Sequence, residues 1–216
     1  MRELYHGQLE KLNRGLVEMG QILVGQIQDA LSSLEKRDSK MAKKVIERDK
    51  QVNDLEKEIE HLCLSLLLLQ QPVADDLRNV SSGLKMITDM ERIGDQAADI
   101  ADLVLDLQGE AIKELDAKVH AMYEEVLTMV INVIDAFEKK NSNEVLDVIQ
   151  QDDKVDQMLE DLKNTVIALI QGHSELSHGA LDYFMVAKHL EKIGDYAVNA
   201  ARWINYYLNG EVMEKE

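Results

Sequence analysis

A single proline, Pro72, interrupts 216 residues in which apolar side chains recur at helical spacing almost from end to end. Proline is the residue that most sharply breaks a helix, so a chain this poor in it can run very long ones. No segment shows the sustained period-2 alternation of a half-buried strand. One Trp, six Tyr and two Phe are also too few aromatic residues for a β-sandwich or barrel. Punctuating residues divide the chain into six helical pieces, at about 3–34, 40–70, 74–107, 110–139, 143–171 and 175–209. Pro72, Gln108-Gly109, Asn141-Ser142, Gly172 and Gly210 mark their ends. A helix of ~30 residues is about 45 Å long, and short connections force such helices to pack antiparallel. Strict heptads are not sustained, which favours a compact bundle over a rod. The expected fold is all-α.

The chain also repeats itself. Leu34-Glu35-Lys36-Arg37-Asp38-Ser39 matches Phe137-Glu138-Lys139-Lys140-Asn141-Ser142 at an offset of 103. The same offset pairs Asp49-Lys50-Gln51-Val52-Asn53 with Asp152-Asp153-Lys154-Val155-Asp156. At an offset of 100, Met90-Glu91-Arg92-Ile93-Gly94-Asp95 pairs with Leu190-Glu191-Lys192-Ile193-Gly194-Asp195. Three landmarks in one order indicate a duplicated three-helix unit. The expectation is two tandem, pseudo-symmetric three-helix bundles, 1–108 and 109–216, with Gly109 at the junction.

The formal charge of −17 and a pI near 4.7 argue against nucleic acid, whose phosphates demand a basic face. The same charge disfavours direct contact with anionic lipid. The longest apolar run, Leu62 to Leu69 broken by Ser65, is far short of the ~20 residues that span a bilayer. Cys63 stands alone, so no disulfide framework exists and the residue reads as a small buried hydrophobe. These features point to a soluble, cytoplasmic protein.

The residues with chemical potential are acids placed in apolar stripes. With Glu91 at zero on a helical wheel, Asp95 falls near 40°, Asp99 near 80° and Asp102 near 20°, among Leu84, Ile87, Ala98 and Leu105. Lys85, Asp89, Arg92 and Gln96 form a separate strip that reads as solvated. In the second copy Glu191, Asp195 and Asn199 share their stripe with Phe184, Ala187 and Val198. The preceding helices carry Asp49 and Asn53, and Asp152 and Asp156, each pair at i, i+4. Antiparallel packing within each bundle would gather four or five oxygen ligands. Such a cluster is unfavourable without a neutralising cation, and oxygen donors suit Mg, Mn, Fe or Ca. Gly94 and Gly194 mark a close helix approach at the same place, since glycine inside a helix costs about 1 kcal/mol relative to alanine.

No catalytic constellation accompanies the acids. His189 lies two residues before Glu191 and is expected to stand clear of the acidic stripe, and ferritin-like Glu-x-x-His is absent from both copies. His173 and His178 sit by the last turn, as solvated loop residues. Gly7, Gly15, Gly20 and Gly25 lack phosphate-loop spacing. Ser81-Ser82-Gly83 has no His-Asp partners. Met90, Met122, Met129, Met158 and Met185 occupy core positions.

The two Glu-(Arg/Lys)-Ile-Gly-Asp motifs, each about 40 residues after an Asp-x-x-Val-(Asn/Asp) element, resemble the signature of the PhoU family. The resemblance covers essentially the whole chain. It implies two pseudo-symmetric three-helix bundles and regulation of phosphate-specific transport and of the phosphate-starvation response. It also implies metal ions, with iron or zinc in some members, held by the acidic pairs. Carried onto this chain, one site uses Asp49, Glu91, Asp95, Asn53 and Asp99, and the other Asp152, Asp156, Glu191, Asp195 and Asn199. Asn53 and Asn199 are amides where carboxylates would bind more strongly, which makes single zinc or magnesium ions as plausible as multinuclear clusters. The implied partners are the ATPase subunit of a phosphate ABC transporter and a membrane sensor histidine kinase, with a homodimer left open. The expected role is a non-enzymatic adaptor exerting negative control. Its rivals are a carboxylate-bridged metalloenzyme and a purely structural helical scaffold, whose acids would ignore chelators.

Overall fold

A computed structural model describes residues 2–69, 74–107, 111–211 and 213. It contains six long α-helices: α1 (Arg2–Lys36), α2 (Ser39–Leu69), α3 (Ala74–Asp106), α4 (Lys113–Lys139), α5 (Ser142–Gly172) and α6 (Ser177–Asn209). A short 3₁₀ turn, Ser174–Leu176, precedes α6, which therefore starts two residues later than expected. No strand occurs among the described residues. The expected stops at Pro72 and at Gln108-Gly109, and with them the junction between repeats, lie outside the described residues.

The duplicated turns are built alike. Arg37 and Lys140 both take left-handed backbone, at φ 50° and 53°. Each leaves the following amide to donate back into the preceding helix, from Asp38 to Ser33 O (2.9 Å) and from Asn141 to Ala136 O (3.0 Å). Asp38 then caps α2 by accepting from the Lys40 amide at 2.9 Å, and Asn141 caps α5 by accepting from Asn143 at 3.1 Å. The sequence repeat is thus a repeat of helix-reversal chemistry. Gly210 closes α6 at φ 75°, where a side chain would be strained.

Helices α1, α2 and α3 pack on one another, as do α4, α5 and α6, and the two groups meet through α3 against α6 and α1 against α4. One apolar core runs through both halves, from Leu12, Leu16 and Leu23 to Met129, Leu162 and Leu190. Cys63 is fully buried in it, and burial followed by the charge of Glu60 pushes its thiol up to about 12. Met90, Met122 and Met129 are core residues and Met158 is half-buried. Met185 is 44% exposed, contrary to expectation, because it lies on the outer side of α6.

Gly20 and Gly94 explain how closely the helices approach. A Cβ on Gly20 would lie 2.6 Å from Ile134 Cγ1, so this glycine sets the α1–α4 contact between halves. A Cβ on Gly94 would lie 3.2 Å from Val52 Cγ1 and 3.3 Å from Asp49 Oδ1. Gly194 differs: its added methyl would meet Met129 and Val155 at 3.6–3.7 Å, ordinary contact distances. The expected close approach is real at Gly94 and absent at Gly194.

The strip Lys85, Asp89, Arg92 and Gln96 is not an ordinary solvated face. It borders the α3–α6 seam, where Lys85 lies over Trp203 and Arg92 over Tyr196, at 5.9 and 5.6 Å from the ring centroids. Asp89 bonds Asn199 there, and His189 Nδ1 comes 3.7 Å from Asp99 Oδ2. The residue numbers in each of these pairs add to 288, the mark of two antiparallel helices held in one register. A wheel drawn for one helix sees only its own bundle. The second bundle covers what the first would leave to water.

Candidate functional site

The register of α2 against α3 brings the first acidic set together. Asp49 and Asn53 face inward one turn apart, and the Asn53 amide donates to Asp49 Oδ2 at 3.0 Å. The remaining oxygens of the pair, Asp49 Oδ1 and Asn53 Oδ1, are buried and have no hydrogen-bond partner among the described residues. Across from them Glu91 has its carboxyl raised by burial first, then by the charges of Asp95, Glu56 and Asp49. Asp95 is raised by burial, then by Asp49 and Asp99. Glu56 was not among the sequence candidates. Its position, three residues after Asn53 and seven after Asp49, puts it on the same helical face, which was the available signal.

The second set gathers in the same way but in a different electrostatic setting. Asp152 is pushed up to about 6 by burial, then by Asp156 and Asp195, with Arg202 opposing. Asp156 is raised by burial, then by Glu191 and Asp195. Lys192 Nζ lies 2.6 Å from Asp195 Oδ2 and 3.3 Å from Glu191 Oε2, and Lys188 Nζ lies 3.1 Å from that same Glu191 oxygen. At the offset of 100 the first copy has Thr88 and Arg92 in these places. Threonine carries no charge, and the Arg92 guanidinium is drawn over the Tyr196 ring. The second set is therefore partly neutralised by two ion-paired lysines, whereas in the first the opposing charge is that of Arg92 acting on Glu91.

The outlying candidates turn towards the seam. Asn199 bonds Asp89 of α3, and Asp99 is exposed beside His189 of α6. His189, expected to stand clear of the acids, accordingly meets one from the other repeat, while its Nδ1 also sits 2.9 Å from Gln96 Oε1. Burial lowers the imidazole and Asp99 opposes that. Among the described residues no three His, Cys, Asp or Glu side chains converge as a ready metal site. What the first cluster offers a cation is two orphaned buried oxygens, from Asp49 and Asn53, and the mutually repelling carboxyls of Glu91 and Asp95. That donor set is all oxygen and fits a hard or borderline divalent ion.

The PhoU domain family matches residues 16–104 and again 119–204, once over each half of this architecture. The chain belongs to the PhoU family. A PhoU homologue named as a phosphate-specific transport system accessory protein, from Clostridium acetobutylicum, is 32% identical over 99% of this chain and 98% of its own length. The PhoU accessory protein of Escherichia coli K12 is 30% identical over 96% of this chain and 86% of its own. The crystal structure of PhoU from Pseudomonas aeruginosa superposes with a TM-score of 0.92 at 31% identity, covering 96% of this chain and all of that one. The phosphate transport system regulatory protein PhoU from Streptococcus pneumoniae gives 0.90 at 28% identity, covering 98% and 100%. The six-helix arrangement is thus the PhoU fold over essentially its whole length.

Proposed function

We propose that this chain is a cytoplasmic accessory protein that negatively controls a phosphate ABC transporter and the sensor histidine kinase coupled to it. The observation that carries the reading is its likeness, over nearly the full length of both chains, to proteins named as accessory to phosphate-specific transport. Those relatives are named for accessory or regulatory roles rather than for a reaction. No helix among the described residues is long and apolar enough to cross a membrane. A charge of −17 makes direct adsorption to an anionic leaflet unfavourable, so contact with a membrane system would run through protein partners. We assign a divalent ion, Zn, Fe, Mn or Mg, to Asp49, Asn53, Glu91 and Asp95, where it would cancel the repulsion and tie α2 to α3 by charge.

The test is genetic and biochemical. Deletion should raise expression of phosphate-uptake genes in phosphate-replete cells, and tagged protein should retain the transporter's ATPase subunit or the kinase on affinity resin. Phosphate-dependent expression that is unaltered by deletion would overturn the proposal.

A further inference from the structure

The duplication creates two equivalent corners, and only the first is tied together by a buried tyrosine. At the first, the turn residue Arg37 places its guanidinium on the hydroxyl of Tyr183, which in turn donates to the carboxylate of Asp116. Tyr183 is 2% exposed, so this corner is closed by the chain itself. At the repeat offsets of 103 and 100, Arg37 becomes Lys140, Asp116 becomes Asn13 and Tyr183 becomes Gly83. Gly83 is packed against Leu12 and Leu16, while the counterparts of Arg37 and Asp116, Lys140 and Asn13, line an open cleft of about 610 Å³ between α1, α3 and the end of α6. Lys140 does not fill it as Arg37 fills its own corner, because its ammonium lies over the Tyr207 ring, 5.8 Å from the centroid.

The cleft is rich in acceptors that nothing among the described residues satisfies. Asn79 lines it, is 6% exposed, and has a buried Oδ1 with no partner. Asn13 lines it with a second buried, unpartnered Oδ1. Glu10 and Asp76 stand at its wall and make no ion pair among the described residues. The cation placed there, Arg78, is bound to Asp75 at 2.5 Å, although its Nε is itself buried without a partner. A buried carbonyl oxygen left unpaired is costly, so the site wants donors.

We propose that this cleft binds a guanidinium group from outside the chain, which takes the place that Arg37 occupies at the other corner. The planar fork donates to Asn13 Oδ1 and Asn79 Oδ1 together, and its charge meets Glu10 and Asp76. Leu9 and Leu208 supply apolar wall for an aliphatic stem, and Tyr207 offers a ring face. The guanidinium could be an arginine side chain of a partner protein or a small free guanidine. The chemistry at the cleft is the same.

The test titrates two probes onto the full chain and follows the side-chain amide resonances of Asn13 and Asn79. The probes are arginine amide and a blocked Gly-Arg-Gly tripeptide, each with its citrulline counterpart, which keeps the shape and loses the charge. Saturable shifts with the arginine probes, and at least tenfold weaker binding of the citrulline ones, are expected. Asn13→Asp should tighten binding several-fold, and Asn13→Leu should weaken it at least tenfold. A tripeptide at least tenfold tighter than arginine amide assigns the group to a protein side chain, and equal affinities assign it to a small free guanidine. Citrulline probes that bind as well as arginine ones, no saturable shift, or an affinity unmoved by Asn13→Asp would each overturn the proposal.

Discussion

Two glycines inside long helices carry opposite consequences. Gly20 admits Ile134 so closely that a methyl group would sit 2.6 Å from its Cγ1, an atom near the branch point that cannot swing aside cheaply. Gly20→Ala should therefore cost about 1–3 kcal/mol by overpacking, reduced by the helix-propensity gain. Gly194 has room for the methyl at ordinary contact distance. Gly194→Ala should stabilise by up to about 1 kcal/mol. Urea melts of the two variants check both signs, and a stabilised Gly20→Ala would refute the account of the α1–α4 contact. Sequence reading singled out Gly94 and Gly194 because they repeat. It passed over Gly20, whose partner lies 114 positions away on α4.

At the scale of helix pairs, α2–α3 and α5–α6 are copies with different charge. Among the described residues the acids of the first pair face one another with no lysine bound to them and only the charge of Arg92 acting on Glu91, while Glu191 and Asp195 of the second are held by Lys188 and Lys192. A divalent ion should therefore favour the first pair. Added Mn or Zn at a hundredfold excess over Kd should stabilise the protein by about 2.7 kcal/mol, read as a rise in Tm that EDTA reverses. Asp95→Asn should abolish most of that rise. Asp195→Asn should leave most of it intact, and an equal loss in both variants would show that the lysines do not discriminate the sites. Chelated protein is the right baseline, because the repulsion is then uncompensated.

Across the whole molecule the two repeats share one core and one seam, so they should melt together. Calorimetry should show a single transition of about 150 kcal/mol near 60 °C, at ~0.7 kcal/mol per residue. Two resolved transitions would mean that the seam is too weak to couple the halves. The seam also holds Asp89, 7% exposed and pushed up to about 6 by burial against the opposing influence of Arg92, Asn199 and Lys85. Its folded carboxyl binds a proton more tightly than the unfolded one, whose value is the ordinary 3.8. Between those values the folded state holds more protons, so this group adds stability as pH falls from about 7 towards 4. In chelated protein, Asp89→Asn should raise Tm at pH 7.5 and flatten the rise in Tm on going to pH 5. A variant with the parental pH slope would remove Asp89 from the account.

The sequence by itself determined the elements and the duplication. Helical periodicity, one proline and the repeated turn motifs specify six helices and the order of the acids on them, because local backbone chemistry and a 3.6-residue period need no distant partner. It also determined that Asp49 with Asn53, and Glu91 with Asp95, would share faces, since i, i+4 spacing alone does that. Only the tertiary structure decided what stands opposite each face. Asp89 and His189, read as peripheral, became seam residues, Asn199 turned from its own acids to another helix, and Lys188 and Lys192 came to distinguish two otherwise matching sites. The seam between α3 and α6 joins residues about a hundred positions apart, and the charges and glycines that decide its behaviour act through distances that no local pattern records.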